Sequence, residues 1–146
     1  IQIGRNVVTT EGLNYLANVA LHGSTQISPW YVALIGSNTT PSATCTYAVP
    51  VFTEFTAYSE ATRREYVEAE ASAGVTTNTA SPARFTFNSD STVYGGCLVG
   101  GGTAASTKSD TAGGGTLLCA HKFDITWEVD TTDYMDVIVQ FTFTSA

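Results

Sequence analysis

The stretch from Ser81 to Gly102 constrains the fold most, because its first half alternates between apolar and polar residues. Phe85 and Phe87 fall on one side of this run, and Arg84 and Thr86 fall on the other. A period of two is typical of a β-strand with one buried face. The Asn, Asp and Ser residues that follow are turn formers, because their short side chains bond their own backbone. We therefore predict a structural β-hairpin without catalytic groups: a strand over 83–87, a turn over 88–91 and a strand over 93–99.

Other runs with the composition of strands flank this hairpin. The run from Trp30 to Gly36 is apolar on both sides, which is typical of a central strand covered on both faces. The run from Leu117 to Val129 alternates, and weaker strands are predicted over 51–55, 64–70 and 134–144, with a helical turn over 59–63. The residues predicted to face inward in the last two strands are Phe123, Ile125, Trp127, Val129, Val137, Val139, Phe141 and Phe143.

One segment near the start has the pattern of an amphipathic helix. Residues 10–21 follow a capping Thr9 or Thr10 and precede Gly23, which suits the left-handed end of a helix. Apolar residues at helical spacing predict a face that docks on the sheet. These residues are Leu13, Leu16, Ala17, Ala20 and Leu21. The strands and this helix together predict a mainly β fold. We expect an antiparallel β-sandwich or jelly roll of about eight strands with one short N-terminal α-helix.

The length of 146 residues suits one domain. We predict an N-terminal arm over residues 1–8 and a single β-sandwich domain over 9–146. The arm carries Ile1, Ile3, Val7 and Val8 without apolar partners nearby in the sequence. Two interpretations stay open: the arm is the first strand of the domain's own sheet, or it pairs with another subunit.

Charge and hydropathy narrow the classes of partner. Charged residues make up 13% of the chain, about half the usual share, which indicates an exterior covered in part by a partner. The net charge of −7 argues against nucleic-acid binding, which needs clustered basic residues. We expect no membrane partner, since no apolar run approaches the ~20 residues needed to cross a bilayer.

The first residues lack the apolar core of a signal peptide, so we expect synthesis in the cytosol. In that compartment we expect Cys45, Cys97 and Cys119 to stay reduced. A Cys97–Cys119 bridge between strands is the alternative.

Two further features are candidates for contact with a partner. Residues 100–115 are rich in Gly, Thr, Ala and Ser and predict a long exposed loop, and long loops in compact domains are often functional. Arg63 and Arg64 form an adjacent basic pair. That pair fits either a salt bridge at an interface or a plain surface position.

The sequence offers little that fits catalysis, a cofactor or a metal. Cys119 and His121 point to the same side of one strand, but a core or rim histidine is the favoured interpretation. Residues 102–109 resemble a phosphate-binding loop, yet Thr107 stands where that motif needs Gly. The carboxylates over 124–136 lack the spacing of a calcium loop and predict a solvated surface, with a weak cation site as the alternative. We expect no enzymatic activity, no cofactor and no metal.

The order of these segments resembles a family of small virion proteins. The segments that carry the resemblance are 30–34, 58–67, 78–87, 93–99, 113–118 and 141–143, preceded by Gly4–Thr9 and Gly12–Leu16. Together they are similar to the head decoration or cement proteins of tailed bacteriophages, which have an N-terminal arm, a helix and a jelly-roll-like sandwich. Such a resemblance between folds suggests a function by association, and it does not derive that function from the residues.

The resemblance implies a capsid decoration protein that binds the outer surface of the major capsid shell and clamps neighbouring capsomers. It implies the major capsid protein and further copies of the chain, as a dimer or trimer, as partners. The location implied is the outer surface of the virion, after synthesis in the host cytoplasm. The residues expected at capsid or subunit contacts are Ile1, Ile3, Arg5, Val7, Val8, Arg63, Arg64, Thr103 and Lys108.

Two alternatives remain open. One is a tail, neck or fibre-associated structural module of the virion. The other is a carbohydrate-binding β-sandwich, for which Trp30, Tyr94 and Trp127 are available as stacking residues.

Overall fold

The computed structural model describes residues 1–145 and has a mainly β, antiparallel fold with one helix. This confirms the predicted fold class, although the ten strands over these residues are more numerous and mostly shorter than expected. The helix α1 spans Thr10–Leu21. The strands are β1 Val7–Val8, β2 Trp30–Ile35, β3 Glu54–Phe55, β4 Arg64–Tyr66, β5 Val75–Thr77, β6 Ala83–Thr86, β7 Ser91–Gly100, β8 Thr116–Val129, β9 Tyr134–Val137 and β10 Gln140–Thr142.

The strands form one large sheet and two small ribbons. The six-stranded sheet has the order β1-β8-β7-β2-β3, with β4 also paired to β2, and the ribbons are β6–β9 and β5–β10. Val32, Leu98 and Cys119 are aligned across β2, β7 and β8 and belong to a core shared with Phe85 of β6. A second core on the other face holds residues of the loop between β2 and β3, including Tyr47. The main sheet is therefore covered on both faces, as a sandwich requires.

The central strand was predicted correctly. Val32, Ala33, Leu34 and Ile35 of β2 are all buried, with successive side chains in opposite cores. A strand that is apolar on both faces needs neighbours on both edges and cover on both sides. β2 has both, since β7 lies along one edge and β3 and β4 share the other.

The predicted hairpin of residues 83–87 and 93–99 is wrong. β6 pairs with β9, whereas β7 pairs with β8 and β2, so the two strands lie in different layers. Arg84 is exposed on β6 and bonds Asp136 of β9, which suits a strand with one buried face. β7 carries buried side chains on both faces, among them Cys97 and Leu98, and therefore lies inside the main sheet.

Three local predictions need smaller corrections. Residues 59–62 form bends in place of the helical turn predicted over 59–63, and the strand predicted over 64–70 ends at Tyr66. The strand predicted over 51–55 is reduced to Glu54–Phe55. Of the side chains predicted to face inward, Ile125, Trp127 and Phe143 are exposed.

The helix begins and ends as predicted, but its predicted docking face is wrong except for Leu16. The Thr9 hydroxyl accepts a hydrogen bond from the amide of Gly12, and Gly23 has the left-handed φ of 74°. Gly12 lies against the backbone of β8, where an added Cβ would be 2.3 Å from the carbonyl oxygen of Leu118. Leu13 and Leu21 are 54% and 88% exposed. Of the predicted face only Leu16 packs against the core. The close contact of Gly12 with β8 leaves Leu13, Ala17, Ala20 and Leu21 exposed.

The three cysteines are free and buried. Cys97 is paired with Ala120, and Cys119 is paired with Leu98, so the two thiols lie on opposite faces of neighbouring strands. The alternating direction of strand side chains therefore rules out the Cys97–Cys119 bridge in this register. None of the helices over residues 1–145 has the length and apolar character needed to span a membrane.

Candidate functional site

The N-terminal arm follows the outer edge of β8. Val7 and Val8 form β1 and pair with Ala120 and Cys119, so the last two arm residues belong to the domain's own sheet. Further out, Gly4 lies against the ring of His121, where a Cβ would meet the Nε2 atom at 1.7 Å. The Nε1–H of Trp127 donates to the Oε1 atom of Gln2 over 3.1 Å. The first of the two interpretations of the arm therefore holds for Val7 and Val8.

Apolar side chains project from the arm and from the strand that it follows. Ile3 is 88% exposed, Ile125 is 72% exposed and Trp127 is 42% exposed, while Ile1 is fully exposed. We call these four residues the arm edge. The Gln2–Trp127 hydrogen bond holds the arm beside this end of β8. Exposed apolar side chains that form a continuous patch are typical of interaction surfaces.

An irregular register in β8 explains why Ile125 points outward. Val93 pairs with Trp127 and Gly95 pairs with Lys122, so the one residue between them on β7 faces residues 123–126 of β8. The extra residues leave the ladder and bend the strand. Simple alternation placed Ile125 inside because sequence periodicity does not reveal a bulge.

Arg63 is buried and fully engaged within the chain. Its Nη2 atom lies 2.6 Å from the Glu54 carboxylate, and the two side chains are only 3% and 9% exposed. The same guanidinium donates to the Tyr47 hydroxyl and to the carbonyl oxygens of Ala105 and Asp110. The prediction of an exposed basic pair is therefore wrong for Arg63. We call the group formed by Arg63, Glu54, Tyr47 and Asp110 the arginine clamp.

The arginine clamp holds the loop that precedes β8. Ser109 donates its amide hydrogen to Glu54 over 2.8 Å, and the Asp110 carboxylate accepts from the Tyr47 hydroxyl over 2.6 Å. Ala105 of this loop is 7% exposed. The segment is a loop as predicted, but it folds back on the domain and is not wholly exposed.

The remaining residues expected at contacts have separate positions. The Nζ atom of Lys108 donates to the Tyr58 carbonyl over 2.8 Å and lies 3.7 Å from the centre of the Tyr58 ring. Thr103 is exposed, and Arg64 is half-buried on β4. The structure therefore does not bring the loop residues and the arm residues into one cluster.

The electrostatics of the clamp favour its charged form. Burial disfavours the Arg63 cation, but the hydrogen bond and charge of Glu54 outweigh burial and raise the pKa of Arg63. The hydrogen bond from Tyr47 lowers the pKa of the Asp110 carboxyl, helped by the amide of Gly113. Burial, followed by the bond to Asp110, raises the pKa of Tyr47. Near neutral pH the cluster is thus a fixed set of charges that are already paired.

A cavity of about 200 Å³ lies beside the clamp. Its walls include Phe52, Val99 and Leu117, together with Cys97 and the polar groups of the clamp. Burial raises the pKa of the Cys97 thiol, which keeps it protonated and a poor nucleophile. Every N–H direction of Arg63 already has an acceptor in the chain, so the guanidinium is not free to bind an anion.

The Cys119–His121 pair does not form a reactive site. Cys119 is 1% exposed, and burial raises the pKa of its thiol to about 12. His121 is half-buried beside Phe123 and below Gly4 of the arm. Within residues 1–145, His, Cys, Asp and Glu side chains form no group of three that could hold a metal ion.

The aromatic residues considered for carbohydrate stacking lie in different environments. Trp30 is half-buried and packs edge-on against Tyr15, with ring centres 5.2 Å apart. Tyr94 is half-buried near the second core, and Trp127 is exposed on the arm edge. Of these three aromatic residues, Trp127 is therefore the most accessible for stacking on a sugar ring.

Sequence reasoning missed most of the clamp. Tyr47, Glu54 and Asp110 lie far apart in the sequence, and no spacing links them to Arg63. The only available signal was the presence of Arg63 in a chain with six basic residues, which did not distinguish a buried position from an exposed one.

Comparison with known proteins gives no relative from which a function could be transferred: neither the models of protein families nor the curated proteins include a match to this chain.

Proposed function

We propose that the chain is a virion structural protein, a capsid decoration or cement protein that binds the outer surface of the major capsid shell and clamps neighbouring capsomers. The single observation that carries this proposal is the arm edge, where Ile1 and Ile3 of the arm and Ile125 and Trp127 of the adjoining strand β8 are exposed. Adhesion to a shell needs apolar area and free strand edges rather than a reaction.

The edge of β8 supports this role. β1 pairs with β8 only at Cys119 and Ala120, and residues 1–6 of the arm, which lie along β8, form no ladder pairs. A strand edge with unpaired backbone groups can accept a further strand from another protein. We propose that Ile1, Ile3 and Arg5 contact such a partner, while Val7 and Val8 anchor the arm to β8.

The arginine clamp suits a protein that bears mechanical load. It ties β3, the segment before β4 and the loop before β8 through paired charges and backbone bonds. With buried, protonated thiols and engaged carboxylates, the chain is proposed to act by binding and not as an enzyme.

The proposal is tested by removing residues 1–6 and measuring binding to shells assembled from the major capsid protein alone. This deletion keeps Val7 and Val8, so β1 and the fold should survive, as circular dichroism would verify. We expect at least a tenfold loss of affinity in co-sedimentation, because most of the exposed apolar area of the arm is lost. Asn38→Ala, a change in an exposed loop outside the expected contact residues, is the control and should bind within about twofold of the wild-type chain.

Unchanged shell binding by the deletion variant would remove the arm from the contact. Absence of saturable binding by the wild-type chain would contradict the decoration role itself.

The exposed Trp127 favours a second candidate, a carbohydrate-binding module. Trp127 is 42% exposed, and aromatic rings commonly stack on sugar rings. A glycan array distinguishes the two functions: binding that is lost in Trp127→Ala supports the second candidate. Labelling of intact particles distinguishes a head location from the tail, neck or fibre alternative.

A further inference from the structure

The helix α1 carries an apolar side that its own chain leaves uncovered. Leu13, Ala17, Ala20 and Leu21 are all exposed. At about 100° per residue they form one stripe along the helix. The opposite side meets the sheet and is built from other residues, namely Gly12, Tyr15, Leu16 and Val19. The helix is therefore apolar on two sides, and only one of them is used within the chain.

The absence of charge on this stripe favours a second copy of the chain as its partner. The chain has a net charge of −7, so two copies repel each other across most orientations. Glu11, the only charged residue of α1, turns inward and accepts hydrogen bonds from the amides of Tyr47 and Leu117. Two stripes can thus meet without bringing like charges together.

The spacing of the stripe fits a two-fold axis. Leu13, Ala17 and Leu21 lie four residues apart and are symmetric about Ala17. In an antiparallel pair centred on Ala17, Leu13 of each copy meets Leu21 of the other, which is the reciprocal contact that two-fold symmetry demands. Rows of residues four apart are also the ridges that interdigitate in the commonest class of helix contact, and a small residue at the crossing allows close approach.

We propose that two copies of the chain associate through these stripes, with α1 crossing its partner at Ala17. This names a surface for the self-association, as a dimer or trimer, that the resemblance to decoration proteins implies. It does not depend on capsid binding, because the contact is formed by the isolated chain.

The area of this contact sets the expected affinity. A helix of 12 residues is about 18 Å long. One crossing of two such helices buries less than the ~1,200 Å² of the smallest standard interfaces. We therefore expect a weak dimer, with a dissociation constant on the order of 100 μM.

Sedimentation equilibrium of the full chain tests the proposal over concentrations from about 5 μM to 1 mM. The mean mass should rise from 15.4 kDa at low concentration toward twice that value. Ala17→Glu places two carboxylates at the crossing and should weaken association at least tenfold. Asn18→Glu adds the same charge on the same helix away from the stripe, and it should associate within about threefold of the wild-type chain.

Cross-linking gives a second readout that depends on the symmetry. The native thiols are buried, so an added surface cysteine is the reactive one under mild oxidation. Ala17→Cys should form a disulfide-linked dimer, because equivalent residues meet on the axis, while Asn18→Cys should stay largely monomeric. Both variants should keep the wild-type circular-dichroism spectrum.

The proposal is overturned if the wild-type mass stays at 15.4 kDa to the highest concentration, or if Ala17→Glu associates as strongly as Asn18→Glu. Equal cross-linking of the two cysteine variants would also overturn it. None of these results bears on whether the chain binds a capsid shell.

Discussion

At the scale of single residues, Arg63 shows how a charged side chain becomes structural. Arg63 is one of only six basic residues in the chain, and it is buried together with Glu54. The two side chains are 3% and 9% exposed. A buried charge is tolerated only when its partner and hydrogen bonds replace the lost water. The acceptors from Glu54, Tyr47, Ala105 and Asp110 provide that replacement.

Arg63→Ala should therefore be strongly destabilising. It leaves the Glu54 carboxylate buried without its cation, which costs about 3–5 kcal/mol of unfolding free energy. Urea denaturation measures the loss. Arg84→Ala is the matched control, because the Arg84–Asp136 pair is 54% and 34% exposed and such pairs contribute about 0–1 kcal/mol. Similar losses in both variants would contradict the structural role of the clamp.

Asp110 predicts how stability depends on pH. The bond from Tyr47 lowers the pKa of Asp110 in the folded chain below its value in the unfolded chain. The unfolded chain therefore binds the proton more readily, so this contribution is present at neutral pH and is lost as pH falls below about 4. Asp110→Asn should be less stable at pH 7 and should show a shallower loss of stability on acidification. An unchanged acid slope in urea denaturation would argue against the predicted coupling.

At the scale of elements, the sequence predicted which segments form strands and helix better than it predicted their partners. Period-two alternation fixes the two faces of a strand but not the strand beside it. β6 and β7 illustrate this, since both were found near their predicted positions and neither pairs with the other. The turn residues between them favour a change of direction but do not decide whether the chain returns to the same layer.

The helix shows the same limit for docking. Its boundaries follow from Thr9 and Gly23, which act locally. Its orientation follows from a close approach of Gly12 to β8, which depends on long-range contact. Counting apolar side chains therefore selected the outward stripe, with Leu16 as the one inward residue.

Gly12→Ala tests this account of the helix. Intrinsic helix propensity alone predicts stabilisation by about 1 kcal/mol. The added Cβ would be 2.3 Å from the Leu118 carbonyl oxygen, so we expect net destabilisation, by about 1–3 kcal/mol. Thermal and urea unfolding measure the change. Asn14→Ala, on the exposed side, should be neutral or slightly stabilising, and a stabilised Gly12→Ala variant would show that the helix is free to move away from β8.

At the scale of the whole molecule, the fold class was predictable because patterning is distributed over many residues. The candidate site was much less predictable. The arm edge depends on a bulge in β8, and the arginine clamp joins segments that are distant in the sequence. The fold is a β-sandwich with buried thiols, and its exposed apolar side chains include those of the arm edge and of the outer side of the helix.

Counting and locating the chain on whole particles tests the proposed decoration role most directly. Tailless shells assembled from the major capsid protein would be saturated with the wild-type chain and imaged by cryo-electron microscopy. The account predicts many symmetric copies on the outer surface, with residues 1–6 at the shell and weak or no occupancy for the variant lacking them. Bare shells at saturating concentration, or density found only on the tail of intact particles, would contradict it.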